Sequence, residues 1–139
     1  MAMATIDVVA ALIRNRQGQV LLVRKRGTAA FMQPGGKRDV GEDDATALAR
    51  EVEEELGCRV VSTSIHPLGE FNAIAANEPG CFVRACLYGV DVTGDITPAR
   101  EIEEMIWVNP ASPPDVALAP LTRDHVLPLA AADGIAGNG

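Results

Sequence analysis

The chain has few aromatic residues, few cysteines, an excess of acid over base, and no long apolar run. Three cysteines, Cys58, Cys81 and Cys86, make an odd number without CxxC spacing, and His66 and His125 are not near them in sequence. Zinc sites and disulfide frameworks are not laid out this way. The thiols are therefore expected to pack as small, largely buried hydrophobes. No stretch approaches the roughly 20 apolar residues that cross a bilayer. Met1 to Thr5 has no basic region leading into an apolar run, so no signal peptide is expected. The protein reads as soluble and cytoplasmic, without a membrane partner. Its 12 basic residues face 19 acids, a net charge of −7. That balance lacks the basic footprint of non-specific nucleic-acid binding.

What is present suits one compact domain over residues 1–132, with a small, glycine-rich tail at 133–139 expected to be disordered. Ile6 to Ile13 and Gln19 to Arg26 read as strands around the Asn15–Gly18 turn, and as a hairpin. On the second of them Val20, Leu22, Arg24 and Arg26 share a face by the two-residue period, so that face passes from core to charge. Phe31 to Gly36 is a short extended piece ending in Pro34-Gly35-Gly36, a backbone path that side chains would obstruct. A helix follows over Asp43 to Leu56. Asp43 or Asp44 can cap it, Gly57 stands where a terminating glycine belongs, and Ala45, Leu48, Val52 and Leu56 form its apolar stripe. Arg59 to Ala75 and Gly80 to Val92 read as strands joined at Ala76–Pro79, and Glu101 to Val108 as a last strand. Pro110 to Pro120 is a proline-rich loop, and Leu121 to Ala132 a short helix interrupted by Pro128. This order predicts an α/β (α+β) fold with a mixed sheet flanked by helices.

Charge is unevenly placed. Glu42, Asp43, Asp44, Glu51, Glu53, Glu54 and Glu55 form an acidic segment relieved only by Arg50, while five of the twelve basic residues lie between Arg24 and Arg38. At about 100° per residue, Glu51, Glu54 and Glu55 fall within one arc of the predicted helix. Like charges at these spacings repel by a few tenths of a kcal/mol per pair. A helix selected only for stability would intersperse lysines, and this one has none. A hard divalent cation removes the conflict, because Mg²⁺ takes carboxylate oxygens and substrate phosphates together. It would neutralise phosphoryl charge and acidify a bound water. Arg50, four residues before Glu54, is spaced to orient that carboxylate.

Gly36, Glu42, Arg50-Glu51-Val52, Glu54-Glu55 and Gly57 together give G-x5-E-x7-R-E-U-x-E-E-x-G, with U aliphatic. This spacing resembles the Nudix box, and the match covers Gly36 to Cys58. One position departs: the final aliphatic residue is Cys58, itself a small hydrophobe. The resemblance implies a Nudix fold, an α/β/α sandwich around a mixed central sheet. It also implies hydrolysis of a nucleoside diphosphate linked to another group, with Mg²⁺ or Mn²⁺. By the same resemblance Glu51, Glu54, Glu55 and the Gly36 carbonyl are the metal ligands, one glutamate serving as general base, with Glu42 and Arg50 in support. Members of the family often recruit a further acid, for which Glu78, Glu101, Glu103 and Glu104 are open candidates.

Specificity lies outside the box. Arg24, Arg26, Lys37 and Arg38 are the candidates for binding phosphate, with strand parity favouring Arg24 and Arg26. Phe31, Phe71, Phe82 and Trp107 are the candidates for stacking on a base, although most of the aromatics are expected in the core. The proline of ADP-ribose-directed members and the tyrosine of diadenosine-polyphosphate members are absent near Ala73 to Ala76. Elimination leaves a MutT-like (deoxy)nucleoside triphosphate pyrophosphohydrolase, acting as a monomer or small homodimer on a small-molecule nucleotide. The alternatives are an ADP-ribose or nucleotide-sugar pyrophosphatase and a non-catalytic nucleotide sensor.

Overall fold

A computed structural model describes residues 4–133. The first apolar segment forms β1 (Ala4–Ile13) and the next β2 (Val20–Lys25). Between them the Asn15 side-chain oxygen accepts the backbone N–H groups of Gln17 and Gln19, both at 3.0 Å. The two strands do not continue as the expected hairpin. Beyond a single bridge from Arg14 to Val20 they diverge into different sheets.

The reason lies in the second half of β1, where Val9 to Ile13 are buried at every position. Such a strand needs partners on both edges and cover on both faces. It pairs antiparallel with β4 (Gly35–Gly36) and parallel with β7 (Cys81–Val90), and β6 (His66–Ile74) closes this mixed four-stranded sheet on the far side of β7. β2 lies between β3 (Phe31–Met32) and β9 (Ile102–Val108) in an antiparallel sheet of three. The strand expected over 59–75 is divided. β5 (Arg59–Val60) pairs with β8 (Val92–Thr93), and a 3₁₀ turn at Ser62–Ser64 precedes β6.

Two helices cover the sheets. α1 (Asp44–Leu56) is capped by Asp43, whose side chain accepts the Thr46 N–H at 2.8 Å. It ends at Gly57, whose φ of 72° allows its N–H to turn back to the Glu53 carbonyl. Its buried face is Ala47, Leu48, Val52, Glu55 and Leu56. Ala45, expected in the stripe, is exposed, because it sits in the first turn, ahead of the point where the helix meets the sheet. At the other end of the chain a π turn at Thr122–Val126 leads into α2 (Leu127–Asp133). The expected interruption at Pro128 falls earlier. Proline has no N–H and crowds the carbonyl four residues back, and the wider turn before Pro128 lets the helix run through it.

Strand alternation distributes the core. Val9, Ala11, Ile13, Leu21 and Val23 face Leu48, Val52 and Leu56 of α1, while Ala10, Leu12, Val20 and Leu22 face Val126, Leu127 and Ala130. This is the layered Nudix arrangement of helix, mixed sheet and helix. Of the cysteines only Cys58 is buried, and Cys81 and Cys86 are half-exposed, so the expectation holds for one thiol of three. The expected tail lies outside the described residues, except for Asp133 at the end of α2. Among the described residues no helix is long and apolar enough to cross a membrane.

Candidate active site

The glycine pair is held where side chains cannot go. Gly35 has a φ of 151°, and a β-carbon on it would run into the Val9 carbonyl and the Ala10 Cα of β1. Gly36 faces α1 instead: a β-carbon there would lie 2.5 Å from Glu51 Oε2. The Gly35 N–H donates to Glu55 Oε1 at 3.2 Å. The backbone of β4 therefore meets two of the three predicted glutamates, one through each glycine.

Glu55 is only 2% exposed. Its carboxyl is pushed up to about 8, first by burial and then by the charges of Glu51 and Glu101, while the Gly35 N–H and Lys25 pull it down. Burial also raises Glu51, opposed by Arg50 and aided by repulsion from Glu54. The arginine sits at the centre of the acids. It donates to Glu42 at 2.7 and 2.9 Å, to Glu51 at 3.1 Å, to Glu54 at 3.3 Å and to the Lys37 carbonyl at 3.0 Å. Glu42, which also accepts the Asp39 N–H at 2.7 Å, is held down to about 2, chiefly by Arg50. The predicted reach from Arg50 to Glu54 is thus present, but Glu42 is its closest partner.

Among the described residues no three acidic, histidine or cysteine side chains converge as a ready-made metal cage. The donors nonetheless suit a hard cation. They are all oxygen, Glu55 is a carboxylate cut off from water with one hydrogen bond, and its neighbour Glu51 repels it. A divalent ion would turn that repulsion into attraction.

A cleft of about 150 Å³ reaches the glycine pair, although Glu51, Glu54 and Glu55 do not themselves line it. Lys25, Gly35 and Gly36 line it beside the acids, and Ile6, Val8, Met32, Ile74, Val83 and Leu121 form its aliphatic walls, with Gln33 and Thr122 among them. None of the predicted stacking aromatics lines it. Phe31 is buried, Phe71 stacks on His125 with ring centroids 5.4 Å apart, Trp107 packs against the core, and Phe82 is exposed on the sheet.

The basic candidates are placed elsewhere. Arg24 donates to Glu104 at 3.0 and 3.2 Å and to the Thr28 carbonyl at 2.8 Å, and Arg26 pairs with Glu103 at 3.4 Å. Lys37 is exposed. Lys25, between the two arginines, is the one that reaches the cleft. It lies on the face of β2 that carries Leu21 and Val23 toward α1, and a bulge in the β2–β9 ladder falls at this point. Sequence parity pointed to the other face; the signal for Lys25 was its register with Leu21 and Val23. Of the open acids, Glu103 and Glu104 are held by arginines. Glu101 acts electrostatically on Glu55, and Glu78 lines the cleft.

The sequence profile described as NUDIX domain matches residues 4–129. The chain belongs to the Nudix family. It is 39% identical over 70 residues to an 8-oxo-dGTP diphosphatase of Haemophilus influenzae, a match spanning 48% of this chain and 52% of that one. It is 35% identical over 98 residues to a Mycobacterium tuberculosis protein named as a candidate 8-oxo-dGTP diphosphatase 2, covering 70% of this chain and 66% of the other. The matches thus span about half to two thirds of the length of these curated relatives. A MutT NUDIX hydrolase from Burkholderia pseudomallei superposes with a TM-score of 0.72 at 23% identity, over 92% of this chain and 96% of that one. That likeness concerns the fold.

Proposed function

We propose that this Nudix chain hydrolyses the diphosphate linkage of a (deoxy)nucleoside triphosphate, giving a nucleoside monophosphate and pyrophosphate. One observation carries the reading: the Glu51 and Glu55 carboxylates meet the Gly35–Gly36 backbone, and a largely apolar cleft reaches the same two glycines. Phosphate charge belongs at the acidic end only together with a cation, and a base belongs among the aliphatic walls. The relatives named as 8-oxo-dGTP diphosphatases support a triphosphate substrate.

Glu51, Glu54, Glu55 and the Gly36 carbonyl would hold Mg²⁺ or Mn²⁺. When bound, the ion would neutralise phosphoryl oxygens and make a water more acidic. Arg50 fixes Glu51 and Glu54 from behind and would keep their oxygens oriented. Lys25 would meet phosphate oxygens entering the cleft, while Arg24 and Arg26 remain on their glutamates and Lys37 stands at the exposed edge. Water adds to one phosphorus as the bridging P–O bond breaks, and its proton passes to a carboxylate. One of Glu51, Glu54 and Glu55 would take it. Glu101 is the outside acid best placed to join the group.

The test is hydrolysis of a panel of triphosphates, oxidised dGTP, ADP-ribose, NADH, diadenosine tetraphosphate and nucleotide sugars with Mg²⁺, run beside Glu51→Gln. Monophosphate and pyrophosphate from triphosphates, lost in the variant, is the expected result. AMP and ribose 5-phosphate from ADP-ribose would replace the substrate and keep the chemistry. Binding without metal-dependent turnover would replace the enzyme with a sensor.

A further inference from the structure

Gln33 is 6% exposed and lines the cleft. Its side-chain oxygen accepts a hydrogen bond from the Thr122 hydroxyl at 3.0 Å. Its Nε2 has no partner, the one buried side-chain nitrogen or oxygen among the described residues left so. An unmade buried donor costs a factor on the order of ten or more in stability, and such groups are rare in folded proteins. The Cα of Gln33 lies within about 7 Å of that of Gly35, so the amide sits one short step from the glycine turn that meets the acids.

We propose that Gln33, oriented by Thr122, reads the base of the nucleotide and selects one bearing a carbonyl oxygen where adenine and cytosine bear an amino group. The proposal rests on the cleft being a nucleotide site. With Oε1 engaged by Thr122, the amide has only N–H groups left to offer. A keto oxygen of guanine, 8-oxoguanine, thymine or uracil accepts such a bond. An amino group at the same place sets donor against donor, and that mismatch discriminates more strongly than apolar contact does. Val8, Ala10, Met32 and Leu121 also line the cleft, whose charged side chains are Lys25 and Glu78. The Nε2 atom is closed off from water in the free protein. Met32, unbranched and readily repacked, is the part of the wall that would yield to an entering base.

The experiment is calorimetric titration of the full chain with dGMP, dTMP, dAMP and dCMP in the presence of Mg²⁺; these monophosphates hold no diphosphate linkage, so hydrolysis plays no part. The keto pair is expected to bind on the order of tenfold tighter than the amino pair. Gln33→Leu should lower affinity for the keto pair by about that factor and leave the amino pair unchanged. Thr122→Val, which frees the amide to turn over and present its oxygen, should bring the two classes together while binding persists. Melting curves establish folding, and Gln33→Leu, which lacks the orphan donor, should melt no lower than the parent; Gln33→Met serves if it does not fold. Equal affinities in the parent, or equal losses for all four nucleotides in the Gln33 variants, would overturn the inference while leaving the hydrolase reading intact. A keto preference without triphosphate turnover would do the reverse, and no binding of any nucleotide would overturn both.

Discussion

Gly36 and Glu51 occupy one space: the position of a β-carbon on the glycine is 2.5 Å from Oε2 and 2.6 Å from Cδ of the glutamate. The absence of a side chain at residue 36 is therefore what places that carboxylate. Gly36→Ala would push aside the flexible end of a side chain, which costs the fold little. Misplacing a reacting group by about 1 Å can cost on the order of a hundredfold. Turnover should fall by about that much with the melting temperature nearly unchanged. In Gly35→Ala the new atom meets the β1 backbone at a φ of 151°, so the expected result is loss of folding. Activity and melting measured on both variants separate the two roles; a strongly destabilised Gly36→Ala would contradict this one.

Burial of Glu55 makes the metal-free protein sensitive to alkali. Its folded pKa of about 8 lies above the 4.5 of a glutamate in the unfolded chain. The stability that depends on Glu55 is therefore fullest below about pH 4.5 and is lost as pH rises through 8. Each pH unit crossed in that window removes at most about 1.4 kcal/mol, so the whole loss is a few kcal/mol. In chelating buffer at about pH 8.5, beyond the folded pKa, Glu55→Gln should melt higher than the parent, and near the unfolded pKa the two should agree. Mg²⁺ should raise the melting temperature of the parent and not of the variant. A parent whose unfolding ignores pH across this window would refute this.

Arg50 joins Glu42, Glu51 and Glu54 in one network. Arg50→Gln should cost about 1–3 kcal/mol, less than a fully buried pair would lose, because the arginine is 25% exposed. Glu42→Gln in the same background should cost less than it does alone. Urea unfolding of the four members of this cycle measures the coupling, and strict additivity would show that the network is not one unit.

Lys25 and Arg24 are neighbours on β2 with different duties. Lys25→Met should raise KM or lower kcat for the nucleotide by about tenfold, the effect of one charged hydrogen bond. Arg24→Met should change stability by about 1 kcal/mol or less through its half-exposed partner Glu104, and leave the kinetics alone. Steady-state rates for the pair decide, and the opposite pattern would return the phosphate contact to Arg24.

The readable parts of the molecule were those in which local chemistry alone decides. Asp43 caps a helix because its oxygen reaches the Thr46 N–H, and Gly57 ends it because only glycine takes that turn easily. The two-residue period places Leu22 and Val23 on opposite faces. It does not say which face meets α1, and so Lys25 does not stand out beside two arginines of better apparent parity. Pairing partners were equally out of reach. The unbroken apolar run Val9 to Ile13 was the one sign that β1 is a central strand instead of half of a hairpin. The Gln33–Thr122 contact joins residues 89 apart in sequence, and neither residue type is unusual where it stands.

The parallel ladder of β1 with β7 carries a cost in time. All ten of its register pairs, from Ala4 with Cys81 to Ile13 with Val90, join residues separated by the whole of α1 and β6. A pairing of such high contact order must close a long loop before any of its hydrogen bonds form. During synthesis β1 emerges first, and the edge that takes β7 waits unpaired until that strand has followed it out. β4 stands much nearer to β1 along the chain, so the glycine turn that meets the acids can be set before the long loop to β7 has closed.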